Sequence, residues 1–398
     1  MPITLLLDLD DTLLESNMDV FIPAYFKALS AALADKVAPE VMIPALTSGT
    51  KAMMINMDPG RTLREVFDAQ FFPKLGLERP VLQAAIDHFY EETFPSLGTL
   101  TKPVPEAVSL VDWAFAQGHR VAIATNPLFP LKAVQHRLRW AGLSPEKYPF
   151  ALVSSYETFH FTKETVAYYP EVLAQLGWPE DPAVMVGDDI DREVKPTQAA
   201  GFPVFWVRKP GDSPAVPDEV PQGTLESFRG WLEKVNLESL KISVKTAPAI
   251  TANLRSTPGA IATLISNLSA EELKRKPEPG EWCLAEILFH LRDDEREVFL
   301  PRIRKILAEE NPFIAAIEAE PWAEERNYAD LDGRQALEDF TRARKETLEL
   351  LDNLVDEWSR KARHSAFGSI SLQDLAGYSA RHDRSHIQQI WKTKNGCW

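Results

Sequence analysis

The sequence predicts an α/β protein, a parallel sheet with a helical insertion, followed by an all-α four-helix bundle. Three observations carry this. Short apolar runs without alternation, at residues 3–7, 120–124, 150–153, 183–186 and 203–207, read as strands buried on both faces and separated by helical stretches. From about residue 250 onward helical periodicity is unbroken and falls into four long segments. The 398 residues also exceed one ordinary domain. The division falls at a mixed polar run, giving a first domain at 1–236 and a second at 245–398.

The first strand runs straight into the acidic turn Asp8-Leu9-Asp10-Asp11-Thr12. Open α/β sheets build their sites outside the carboxyl ends of strands. Asp8 and Asp10 face that crevice together if the chain curls at once. One carboxylate can then attack while the other handles protons, with a cation offsetting their repulsion. The plainer alternative is a polar strand end with a capping Asp or Thr. Residues 15–100 show helical spacing (20–33, 63–72, 81–94) and no strand signal, so they read as a helical insertion. Within it Lys51, after Thr47-Ser48-Gly49-Thr50, and Arg61, after Pro59-Gly60, are candidate anion contacts; more often such residues are solvated surface.

A helix over 103–118 returns to the strand at 120–124, which ends in Thr125-Asn126-Pro127. That turn offers a hydroxyl and backbone N–H groups to phosphate oxygens. Lys163 precedes a helix over 168–176, and a lysine at a helix start opposes the dipole. The cost is easier to understand if the ammonium serves a site. Residues 187–193 pack Asp188, Asp189, Asp191 and Glu193 together, and a hard divalent cation takes such oxygen ligands. A short helix over 196–201, a last strand at 203–207 and a closing helix over 225–235 complete this half.

The bundle segments are 250–268, 283–307, 335–358 and 372–391. His382 and His386 are four apart and so share one helical face, and His290 sits on an otherwise apolar face of the second segment. Alone, His290 is more commonly a core histidine. Three converging imidazoles would instead form an open metal site.

Composition limits the partners. With 45% hydrophobic and 25% charged residues the chain has ample core material. No apolar run reaches membrane-span length, and the start reads as strand rather than signal peptide. Cys283 and Cys397 are the only cysteines, which fits a reducing, cytoplasmic setting. A net charge of −15 argues against general nucleic-acid binding, so an anionic substrate needs local positive charge.

Asp8-x-Asp10-x-Thr12, the strand ending in Thr125-Asn126, Lys163, and Gly187-Asp188-Asp189 follow the order of four motifs of the haloacid dehalogenase (HAD) superfamily. Residues 1–236 resemble that superfamily, which implies a HAD-type Rossmann-like sheet with a C1-type cap at about 15–100. The resemblance implies a phosphatase in which Asp8 is the nucleophile, forming an aspartyl-phosphate, and Asp10 the general acid and base. Thr125 and Lys163 would neutralise the transferred oxygens. Mg2+ would be held by Asp8, Asp188 and the Asp10 backbone carbonyl, with Asp189 behind them. Thr12 and Asn126, with Lys51 and Arg61, are the expected substrate contacts for a small phosphorylated metabolite. Asp10 separates this pattern from a dehalogenase, because a halide leaves without a proton. One departure is Glu193, where the superfamily usually has Asp.

The histidine triad, with Pro279-Gly280-Glu281-Trp282 before the second helix, resembles the DinB family over about 245–398. That resemblance implies a divalent metal, zinc or nickel (Zn2+ or Ni2+), held by His290, His382 and His386, and in some members thiol-dependent transferase chemistry. A rival reading therefore places the main chemistry in the bundle. A non-enzymatic one makes the bundle a regulatory or homodimerisation module.

Overall fold

The computed structural model describes residues 2–209 and 220–396. Cys283 is a buried free thiol, and Cys397 lies outside the described residues. Among the described residues six strands form one parallel sheet. They are β1 (Thr4–Leu7), β2 (Arg120–Ile123), β3 (Leu152–Val153), β4 (Ala183–Gly187), β5 (Val204–Val207) and β6 (Gln222–Gly223), in the spatial order β3-β2-β1-β4-β5-β6. Leu5, Leu6 and Leu7 at its centre have no exposed surface, because helices cover both faces. The run at 203–207 is therefore not the last strand. β6 pairs with β5, and its two residues, Gln and Gly, carry no apolar signal.

After β1 the chain turns sharply. Asp11 takes a left-handed φ of 61°, which Asp tolerates better than most residues, and its N–H reaches Leu14 O at 2.7 Å. Leu14–Ser16 then pairs antiparallel with Thr101–Pro103. This ribbon corrects the all-helical reading of 15–100: it ties together the two chain passages into and out of the cap. Between them run Met18–Ala32, Pro39–Met54, Leu63–Leu75 and Arg79–His88. A reciprocal Thr62–Glu65 capping box starts the third, satisfying N–H groups that a helix end leaves open.

The second half forms Ala247–Ile265, then Leu284–Asp293 running through a π-helical stretch (Asp294–Phe299) into Leu300–Ala308, then Gly333–Asp352 and Leu372–Asn395. The third helix stops at Asp352, short of the expected 358. A small sheet of Phe313–Ile314, Lys361–His364 and Gly368–Ser371, absent from the sequence expectation, lies between the later helices in sequence. Its strands are too short for periodicity to register.

The two halves share a hydrophobic core. Phe159, Tyr168, Val172 and Leu173 cluster with Ala260, Ile261 and Leu264. This explains why every residue of Tyr168–Gln175 is buried. Gly177, at φ 78°, lies so close to the Trp391 ring that a Cβ there would overlap it. Gln388 Nε2 donates to Trp178 O at 2.8 Å, and the cap joins in through Lys345 Nζ and Asp58 Oδ1 at 2.5 Å. Among the described residues no helix is long and apolar enough to cross a membrane.

Candidate active site and metal centre

The sheet register brings distant motifs to one edge. Leu7 lies opposite both Ile123 and Val186, so Asp8, Thr125 and Asp188 follow at adjoining carboxyl ends. β1 and β4 are neighbours across the point where the strand order reverses, where a crevice opens. Asp8 is 3% exposed. Its Oδ1 accepts from Lys163 Nζ at 2.5 Å, and the same ammonium donates to Glu193 Oε1 at 2.7 Å. Asp8 Oδ2 is buried with no hydrogen-bond partner.

Oxygens of Asp8, Asp188 and Glu193 lie within 4.8 Å of one another. Burial and then the Asp8 charge push Glu193 well above the usual carboxylate range, with Lys163 opposing. The same two causes push Asp188 up to about 6, against Lys209, whose Nζ donates to it at 2.7 Å. Burial disfavours the Lys163 ammonium, yet Asp8 and Glu193 outweigh it and hold its pKa well above the ordinary value. The buried Lys163 ammonium and the part-exposed Lys209 together do not balance three crowded carboxylates. The surplus, together with the orphaned Asp8 oxygen, fits a hard divalent cation.

Lys163 does not open a helix. It lies in a loop, the helix begins at Tyr168, and the expected conflict with the dipole does not arise. Asn126 positions it by accepting the Lys163 N–H at 3.2 Å. Glu193 reaches in from a π-helical turn, Ile190–Val194, against Gly187, where a Cβ would overlap its carboxylate. Thr12 Oγ1 donates to Asp188 Oδ1 at 3.4 Å, and Asp189 accepts from the N–H groups of Asp191 and Arg192, capping the turn. Thr125 is buried and lines the crevice with Asn126.

Two expected substrate contacts do not reach it. Lys51 and Arg61 are exposed and line no part of the crevice, and Arg61 donates to Glu65 O at 2.9 Å. Their only signal was loop composition, which any solvated loop shares. A cation that the sequence reading missed does reach the site: Arg137, 1% exposed, is ion-paired to Asp10 and lies over the Phe21 and Phe129 rings at 5.6 and 5.1 Å. Its sequence signal is a charge on the helix face of Ala133, Val134 and Leu138, where an apolar residue is due. Lys209 carried no comparable signal.

In the bundle, three imidazoles converge. His382 Nε2 lies 3.0 Å from His290 Nε2 and 3.1 Å from His386 Nε2. Burial, then the neighbouring imidazoles, lower His290 to about 3; burial and His386 do the same for His382. Burial lowers His386 as well, so all three keep neutral rings with lone pairs to give. His386 Nδ1 lies 2.9 Å from Gln389 Oε1, a carbonyl that accepts from a protonated Nδ1 and so leaves Nε2 as the donor to a metal. A tetrahedral ion at ~2.1 Å would separate its nitrogens by roughly 3.4 Å, close to this spacing. Trp282 stacks on His386, and Asp294, pushed up to about 7 by burial and then by Glu295, stands 3.5 Å from His382.

Residues 4–201 match the family model of haloacid dehalogenase-like hydrolases, and residues 253–390 match that of the DinB superfamily. The chain joins a haloacid dehalogenase-like hydrolase region to a DinB-superfamily region. Among curated proteins it is 27% identical over 134 residues to an Oceanobacillus iheyensis protein provisionally named a metal-dependent hydrolase, covering 33% of this chain and 77% of that one. A Geobacillus kaustophilus protein with the same provisional name is 25% identical over 35% of this chain and 79% of its own. Among solved structures, a HAD phosphatase from Thermococcus onnurineus is 18% identical at a TM-score of 0.37, over 58% of this chain and 98% of its own. YfiT from Bacillus subtilis is 21% identical at a TM-score of 0.35, over 39% and 89%.

Proposed function

We propose that the first half is a Mg2+-dependent phosphatase acting through an aspartyl-phosphate. The observation that carries it is Asp8, buried at the end of β1, with Oδ1 held by Lys163 and Oδ2 without a hydrogen-bond partner. Asp8 attacks phosphorus in line as the bond to the leaving oxygen breaks. Asp10 gives that oxygen its proton, then takes one from the water that releases phosphate and restores Asp8. Lys163 and Thr125 face the transferred oxygens. Asp8, Asp188 and Glu193 would hold the cation, which when bound offsets the charge on nucleophile and phosphoryl group. Asp10 must change partner during the cycle. Arg137 holds its carboxylate in the structure, so the group must leave that ion pair to reach the leaving oxygen.

Asp10→Asn should therefore lose about 10²–10⁴-fold towards alkyl phosphates and much less towards an activated aryl phosphate, whose leaving group needs no proton. Initial rates on matched alkyl and aryl esters check this. Equal losses would count against the acid role.

For the bundle we propose a separate divalent ion, zinc or nickel, on His290, His382 and His386. The convergence of three neutral imidazoles favours it, since nitrogen ligands suit these metals as carboxylates suit magnesium. His382→Ala should strip that ion from the dialysed protein, while Asp188→Asn leaves it in place. Elemental analysis of both variants decides. Retention after loss of both His382 and His386 would make the triad core packing.

A further inference from the structure

The crevice above Asp8 continues into the cap as a cavity of about 460 Å³. Its floor is polar (Asp8, Asp10, Thr125, Lys163 and Asp188), whereas Phe26, Leu29, Leu46, Phe67, Phe71 and Ile86 line its upper part. Three of the polar groups among those walls, Tyr25, Tyr90 and Arg79, are already engaged with protein partners. The hydroxyls of Tyr25 and Tyr90 bond at 2.8 Å, and Arg79 grips Asp68 through Nε at 2.7 Å and Nη2 at 2.5 Å. Arg137 lies low in the cavity, ion-paired to Asp10, and its Nε has no hydrogen-bond partner. A polyhydroxylated substrate entering the apolar part of this lobe would leave buried hydroxyls without partners, which disfavours it. An apolar group would instead remove its surface and that of the walls from water.

We propose that the substrate is a phosphate monoester of an apolar alcohol, its phosphate on the floor beside Asp8 and its alkyl or aryl body in the aromatic cap lobe. This rests on the phosphatase reading above and narrows it. The cap selects by exclusion of hydroxyls, and Phe26 and Ile86, both only partly buried, are specificity-determining walls.

The test is binding of an n-alkylphosphonate series, methyl to octyl, to the full chain by calorimetry. n-Alkyl phosphates of the same lengths and glucose 6-phosphate are run alongside as substrates. Affinity should tighten about fourfold per methylene until the lobe is full, the equivalent of about 0.8 kcal/mol per buried CH₂. kcat/KM should follow the same slope and be lowest for glucose 6-phosphate. Phe26→Ser and Ile86→Ser should each flatten the slope; the wild-type series decides by itself if either variant fails to fold. No binding of octylphosphonate, or affinity independent of chain length, would overturn the proposal, as would preference for the sugar ester. Length-dependent binding with no ester hydrolysed would sink the phosphatase reading and leave the apolar recognition standing.

Discussion

Asp8→Asn is expected to lower turnover of an aryl phosphate by about 10⁴–10⁶-fold, the range seen when a nucleophile is removed from an otherwise intact site. The change keeps the side chain's size and an oxygen to accept from Lys163, so the fold should survive. It should also relieve strain. The Asp8 charge is among the causes that raise both Glu193 and Asp188, so its loss lets those carboxylates ionise more easily. Lys163 still keeps Glu193 at 2.7 Å. Steady-state rates with a parallel thermal melt check both halves: activity collapses while the melting temperature holds or rises. Wild-type turnover in the variant would remove Asp8 from the chemistry.

The largest expected loss of stability follows Arg344→Ala. This guanidinium is 1% exposed and joins three bundle helices. Nη1 donates to Asp383 at 2.6 Å and to Leu254 O at 2.9 Å, and Nη2 donates to Glu295 at 2.8 Å. Burial disfavours its charge, but Asp383 and Glu295 outweigh that and raise its pKa. Removing it strands two buried carboxylates, which costs about 3–5 kcal/mol. Urea unfolding followed on the bundle should show this. Because Asp383 adjoins His382, metal content should fall as well. An unchanged urea midpoint would mean that water reaches the carboxylates and the network holds little of the bundle.

Much of the first site could be read from sequence because its parts lie at ends of apolar runs. Asp8, Thr125 and Asp188 each terminate a buried strand, and a parallel sheet must gather such ends on one edge. The histidine spacing was equally direct, since four residues on a helix is one face. Lys51 and Arg61 failed for the opposite reason. Nothing in a loop's composition says which way it faces, and these face water.

By itself the sequence determined the ends of β1, β2 and β4, the helical stretches of both halves and the spacing of the three histidines, because each is written in local periodicity. Tertiary structure alone decided which charges meet. Arg137 reaches Asp10 through helix packing, Lys209 reaches Asp188 across the sheet edge, and Glu193 swings to Lys163 on a π turn. It also decided that the cap closes over an apolar lobe. Phe26, Phe67 and Ile86 lie on separate helices, and only their packing shows that they bound one cavity rather than three patches of core.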